Sequence, residues 1–247
     1  MEKVRLAIDN ISARQGSFVA SRISIILESG DIMGLVGRSG SGKSTILKAI
    51  LGILPLKSGS LKASVDEKQV ELRSVLGYSS QGNALFPFLT VDENLHFFAR
   101  INGVGQNLIK LRADTLLDRL DLVNSRMKRI SQLSGGMAKR VDLAVCLIHD
   151  PKIILMDEPF SGLDISLQRF FWTFLQELAA KGKIIIVSSH LLNDIRRYCN
   201  EFGLINDGIF YNTEQVKEEL VSNKELNLEV FLEKLFSSQI KINMEST

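Results

Sequence analysis

The stretch DIMGLVGRSGSGKSTILKAILGIL, residues 31–54, decides the fold. DIMGLVG is an apolar run of strand length, GRSGSGKST satisfies G-x-x-x-x-G-K-[ST] in full, and KSTILKAILGIL carries apolar residues at helical spacing before PLKSG closes it. Strand, glycine loop, helix is the context that gives such a motif structural meaning. Gly37, Gly40 and Gly42 let main-chain N–H groups close around a polyphosphate. The expected cradle is Gly37, Arg38, Ser39, Gly40, Ser41, Gly42, Lys43, Ser44 and Thr45, with Lys43 reaching the β and γ phosphates and the Ser44 hydroxyl ligating Mg²⁺.

A magnesium-triphosphate site needs a second anchor for the metal and a group that orients the attacking water. IILMDEP, residues 153–159, brings an apolar strand to Asp157 and Glu158, a metal anchor and a general base. KIIIVSSH, residues 183–190, is a second buried strand, and His190 emerges where open α/β sheets bind ligands, placed to donate to a γ phosphate or to serve structure alone. VLGYSSQ, residues 75–81, ends a third strand at Gln81. That side-chain amide either touches Mg²⁺ and the attacking water or simply closes the strand.

Further out, residues 3–12 and 17–27 alternate as strands do, while 91–127 carry two helical patterns separated by Asn-Gly. From these elements we read an α/β protein of one unit with two lobes. Residues 1–81 and 151–206 form the α/β core and residues 82–150 an inserted helical lobe with a further helix. Residues 207–247 form a helical tail, with a turn at NDGIF and charged patterns in TEQVKEELV and NLEVFLEKLF.

QLSGGMAKR, residues 132–140, is a second glycine-flanked serine that opens a helix. Ser134, Gly135 and Gly136 fit an anion site at a positive helix end, and equally an ordinary serine N-cap. Nearby Arg126, Lys128, Arg129, Lys139 and Arg140 fit a solvated basic face or a phosphate-assisting one. Bulk properties narrow the partners. Thirty Lys+Arg against 28 Asp+Glu leave a net charge of +2, which gives no footprint for nucleic acid. Cys146 and Cys199 are isolated and read as packing residues of a reducing compartment. The N-terminus lacks a signal-peptide pattern, and no apolar run approaches the roughly 20 residues that span a bilayer, so a soluble chain is expected.

Taken together the motifs resemble the ATP-binding subunits of ABC transporters over nearly the whole chain. GRSGSGKST is similar to that family's Walker A loop, Gln81 to its Q-loop, LSGGM to its signature and IILMDE to its Walker B segment. SGLD, residues 161–164, resembles the D-loop, and His190 the switch histidine. The resemblance implies a P-loop NTPase core with an N-terminal antiparallel β subdomain and an inserted α-helical subdomain. It implies ATP and Mg²⁺ as ligands, with Ser44, Gln81 and Asp157 on the metal and Glu158, His190 and Gln81 catalytic. Two such subunits, identical or related, pair head to tail, so that Ser134, Gly135, Gly136 and Asp164 serve the partner's ATP. The pair would sit on the cytoplasmic face of the membrane and power integral-membrane subunits.

Met137 stands where most members have glutamine, and the tail resembles that of the exporter-like branch. Gln15 aligns where the family stacks an aromatic on adenine, with Phe18 close by as the other possible adenine contact. Phe86, Phe88 and Leu89 either seat a partner helix or belong to a local core. Two other readings remain open at this level: an ATPase of the same type driving a non-membrane machine, and a nucleotide-gated dimerisation module with little hydrolysis.

Overall fold

The computed structural model describes residues 2–222 and Val230. Strands β1 (Val4–Gln15) and β2 (Phe18–Glu28) form an antiparallel hairpin whose last register pair is Gln15 with Phe18. β3 (Ile32–Gly37) then runs through the glycine loop into α1 (Lys43–Ile50). Two strands absent from the sequence reading follow. β4 (Leu56–Val65) pairs antiparallel with β1, and β5 (Lys68–Val70) pairs with β4. The single turn α2 (Leu72–Val75) leads into β6 (Leu76–Ser79).

The helical region holds α3 (Val91–Ile101), α4 (Gln106–Arg119) and α5 (Gly135–Leu147). α3 starts where Thr90 and Glu93 cap each other: the Glu93 N–H donates to Thr90 Oγ1 at 3.1 Å and the Thr90 N–H to the Glu93 carboxylate at 2.7 Å. The core resumes with β7 (Ile153–Asp157), α6 (Ile165–Ala180), β8 (Ile184–Ser189), α7 (Leu192–Tyr198), β9 (Glu201–Asn206), β10 (Ile209–Tyr211) and α8 (Thr213–Ser222).

The expected turn at NDGIF is present, with Asp207 and Gly208 both at positive φ, but it joins two strands instead of opening a helical tail. β10 pairs antiparallel with β9 and, through Ile209 and Ser21, parallel with β2. TEQVKEELV is α8 as expected, while NLEVFLEKLF lies outside the described residues apart from Val230.

The strands make one ten-stranded sheet in the order β5-β4-β1-β2-β10-β9-β3-β8-β7-β6. β9, β3, β8, β7 and β6 are parallel neighbours, and the outer strands from β5 to β2 are antiparallel. The apolar runs of β3, β7 and β8 follow from this arrangement, because both faces of each are buried. Odd and even residues go to different cores. Ile154, Met156, Ile185 and Val187 join Phe171, Trp172 and the inserted helices on one face. Ile153, Leu155, Ile184 and Ile186 join α1 and the β1–β2 hairpin on the other. The strand ends bearing the polar motifs are therefore fixed from two sides.

Candidate functional site

The glycine loop leaves β3 at Gly37, which is buried, and enters α1 at Gly42, whose φ of +109° only glycine adopts without strain. A Cβ on Gly42 would meet the Phe18 ring at 2.4 Å, so the hairpin tip lies directly on the loop. α1 starts with no side-chain cap and no acidic residue in its first turn, which leaves its N–H groups and positive end toward the loop. Lys43 is 5% exposed, and its Nζ donates to the Gly37 carbonyl at 2.8 Å and the Arg38 carbonyl at 3.1 Å. The Ser41 hydroxyl is buried there without a hydrogen-bond partner.

Around the loop is an open cleft of about 760 Å³, lined by Ser39, Gly40, Gly42, Lys43, Ser44 and Thr45 together with Gln15, Phe18, Gln81, Glu158 and His190. Residues that the sequence spreads from position 15 to position 190 thus meet in one place. The Glu158 carboxylate lies between two cations or potential cations, 3.4 Å from Lys43 Nζ and 3.3 Å from His190 Nδ1. Glu158 has a φ of +46°, the left-handed region that non-glycine residues occupy at a cost, and this re-aims its side chain into the cleft just past the end of β7.

What holds Glu158 there is a residue the sequence reading did not single out. Ser188 on β8 lies opposite Asp157 in the β7–β8 register. Its hydroxyl accepts the Glu158 N–H at 2.8 Å and donates to Asp157 Oδ1 at 2.7 Å. Asp157 is 3% exposed and sits behind the cleft, not on its surface. The available signal was the polar ending of IIIVSSH, which parallels the Asp-Glu ending of the neighbouring strand. Ser188→Ala leaves the Glu158 N–H and a buried carboxylate oxygen short of a partner. It is expected to cost about 1–3 kcal/mol in urea unfolding at unchanged m-value, and no measurable loss would contradict this role.

The oxygen-only donor set of Ser44, Gln81 and Asp157 suits a hard cation. Among the described residues no cluster of three or more His, Cys, Asp or Glu could hold a metal without help. That fits an ion like Mg²⁺, which takes one or two protein oxygens and completes its shell with phosphates and water. Gln15 and Phe18 both reach the cleft. The Thr45 hydroxyl donates to Gln15 Oε1 at 3.3 Å, so the side chain at the position of the expected stacking aromatic is a tethered amide.

The other predicted phosphate binder is elsewhere. Ser134, Gly136 and Asp164 line a separate hollow of about 660 Å³ that shares no residue with the first cleft. Ser134 is the N-cap of α5, accepting the Met137 N–H at 3.3 Å, and Asp164 is the N-cap of α6, accepting the Leu167 N–H at 2.9 Å. Gly136 is explained by packing, since a Cβ would meet Leu167 at 2.7 Å. Gly135 is not: its added Cβ would meet nothing within 4 Å.

The basic residues nearby are mostly committed. Arg126 pairs with Asp92 and Asp114, and Arg140 with Asp121. Lys139 belongs neither to a solvated basic face nor to a phosphate site, for it is 6% exposed and bonded inward. Both cysteines are free thiols. Burial pushes the Cys199 thiol up to about 12 and the Cys146 thiol higher still, which fits packing roles. Phe86 is half-exposed and packs edge-on against Phe97 at 4.8 Å, while Phe88 is 80% exposed. No helix among the described residues is long and apolar enough to cross a membrane.

Residues 20–161 match the family described as ABC transporter. The ABC transporter ATP-binding protein NatA of Bacillus subtilis (strain 168) is 32% identical over 221 residues, 86% of this chain and 89% of its own length. The Nod factor export ATP-binding protein I of Cupriavidus pinatubonensis is 34% identical over 77% of this chain, which spans 59% of that protein. ABC transporter G family member 20 of Dictyostelium discoideum is 34% identical over 84% of this chain, which spans only 29% of it. A solved structure described as the ATP binding subunit of an ABC transporter has the same fold, with a TM-score of 0.79 at 24% identity over 92% of this chain and 98% of that one.

Proposed function

The chain belongs to the ABC transporter family as one of its ATP-binding ATPase subunits, and from that premise we propose that it works in pairs. Two copies, or one copy and a related subunit, close around two ATP molecules and drive transport through separate membrane-spanning subunits. One observation supports this reading: the two glycine-flanked helix starts expected to bind phosphate line different hollows that share no residue. A partner in head-to-tail orientation would bring its Ser134, Gly135, Gly136 and Asp164 to the ATP held by residues 37–45. Gly135 gains a reason in that arrangement, because an open, side-chain-free backbone admits close approach of a phosphate.

Within one cleft the roles divide by chemistry. The loop N–H groups, the α1 N-terminus and Lys43 bind the phosphates, with Lys43 exchanging its carbonyl partners for phosphate oxygens. Glu158 accepts the proton of the attacking water, and its pairing with Lys43 and His190 keeps the carboxylate aimed into the cleft. His190 donates to the γ phosphate, and Gln81 orients water at the junction with the helical lobe. Ser44 and Gln81 would hold Mg²⁺ from the cleft side and Asp157, behind the cleft, would reach it through water, and the ion would supply charge neutralisation of the triphosphate. Residues 1–81 and 151–206 act as the core in this scheme and residues 82–150 as a second lobe that moves against it.

Export as the direction is supported by Met137 and by relatives whose names include Nod factor export. A place on the cytoplasmic face of the membrane follows from pairing with membrane subunits, for which the exposed Phe88 and half-exposed Phe86 beside Gln81 offer an apolar seat. Affinity purification of the tagged chain from detergent-solubilised membranes tests the partner assignment. An integral-membrane protein should co-purify in stoichiometric amount, and Phe88→Asp should reduce its recovery. Recovery of soluble partners alone would favour an ATPase driving a non-membrane machine.

A further inference from the structure

Helix α5 carries two buried charged residues that none of the roles above uses. Lys139 and Asp142 lie one turn apart, are 6% and 2% exposed, and approach to 3.7 Å. Burial of charge at this level is costly unless every polar atom is paired, and here the partners all come from one short segment. Lys139 Nζ donates to the Ser80 carbonyl at 3.0 Å and to Asn83 Oδ1 at 2.9 Å. The Asp142 carboxylate accepts the Ser79 hydroxyl, and the Ala84 N–H supports it from the other side. Ser79, Ser80, Asn83 and Ala84 bracket Gln81, which is exposed and lines the nucleotide cleft. Ser134 is the N-cap of the same helix, five residues before Lys139.

We infer that Lys139 and Asp142 are positioning residues that fasten the Gln81 segment to α5, so that the placement of Gln81 in one cleft and of Ser134 in the other hollow are set by a single rigid element. This rests on the reading of Gln81 and Ser134 given above and adds a physical link between the two half-sites of one chain. An ATP engaged by Ser134 of this chain orients α5, and α5 carries Gln81 with it through four contacts that tether its flanks. Burial holds the Lys139 ammonium below its ordinary range and the Asp142 carboxyl above its own, which is the cost of keeping both from water, and the contacts to Ser79, Ser80, Asn83 and Ala84 are what offset it.

A double-mutant cycle on turnover tests the link in the full-length chain. Lys139→Met keeps the apolar stem and removes the donor. It should lower kcat by about tenfold or more while KM for ATP stays within about twofold, because the phosphate cradle is untouched. Gln81→Ala should lower kcat similarly, and the combined variant should be no slower than the slower single one. Two losses that multiply would mean that Lys139 acts on stability or on some other group, and would overturn the inference. If Lys139→Met does not fold, Asp142→Asn keeps the size of the side chain but sets an amide against the Ala84 N–H or the Ser79 hydroxyl. The same cycle with Gln81→Ala then decides. Failure of the underlying reading looks different: Gln81→Ala alone would leave turnover at the wild-type level, which would overturn both.

Discussion

Glu158→Gln is expected to lower ATP turnover by about 10²–10⁴-fold, the range spanned by a general base in its absence. The substitution is close to isosteric, so the left-handed backbone at residue 158 and its N–H bond to Ser188 survive, and the loss reports the carboxylate's charge and proton acceptance, not a backbone change. Binding should move the other way. The carboxylate lies 3.4 Å from Lys43 Nζ and competes with phosphate oxygens for it, and it would repel a triphosphate at the same distance. An amide does neither to the same degree. The variant should therefore hold ATP and, with Mg²⁺ present, elute as a stable dimer in size-exclusion chromatography while the wild type does not. Turnover unchanged in the purified variant would remove Glu158 from the role of base.

Placing a bulky residue at the start of α5 should have as large an effect by a different route. Ser134→Phe fills a hollow that contains no residue of the nucleotide cleft, so the isolated chain should bind ATP with wild-type affinity and yet lose turnover completely. Loss of the N-cap is a confounding term, since Ser134 accepts the Met137 N–H. Removing it costs about 1 kcal/mol of stability, which Ser134→Ala measures by itself. A mixed dimer, one chain wild type and the other Ser134→Phe, separates action in trans from action in cis. One of two sites should fall silent, and combining Ser134→Phe with Lys43→Ala in the same chain should leave the wild-type chain's signature paired with an empty cleft and abolish turnover. The opposite pairing, with one substitution in each chain, concentrates both defects in one site and should leave the other working. Identical activity from the two arrangements would show that Ser134 does not act across an interface.

The parallel half of the sheet was legible because its chemistry is written locally. β3, β7 and β8 begin as apolar runs, β7 and β8 end in the polar residues that support the cleft, and β3 leads straight into the glycine loop that lines it. β4 and β5 were missed for the opposite reason. LKSGSLKASV is mostly exposed or half-buried and rich in Ser and Lys, so neither alternation nor apolar content marks it, and its strand character comes from pairing with β1. β10 is three residues long and is defined by its neighbours β9 and β2. Ser188 was passed over and Lys139 was read as part of a basic face because their roles depend on what stands opposite them. Ser188 matters through a register pairing with Asp157, and Lys139 reads in one dimension as part of a charge run although its partners are about sixty residues earlier.

The sheet also ends in short strands. β5 has three residues, with Lys68 and Gln69 exposed, and β6 has four, backed by α5. Long bare edges invite copies of a chain to stack into a continuous ribbon, and these two edges offer almost no unpaired backbone for that. Under the paired mechanism proposed above, this removes the irreversible mode of association and leaves the reversible one, in which a small ligand decides when two surfaces stick.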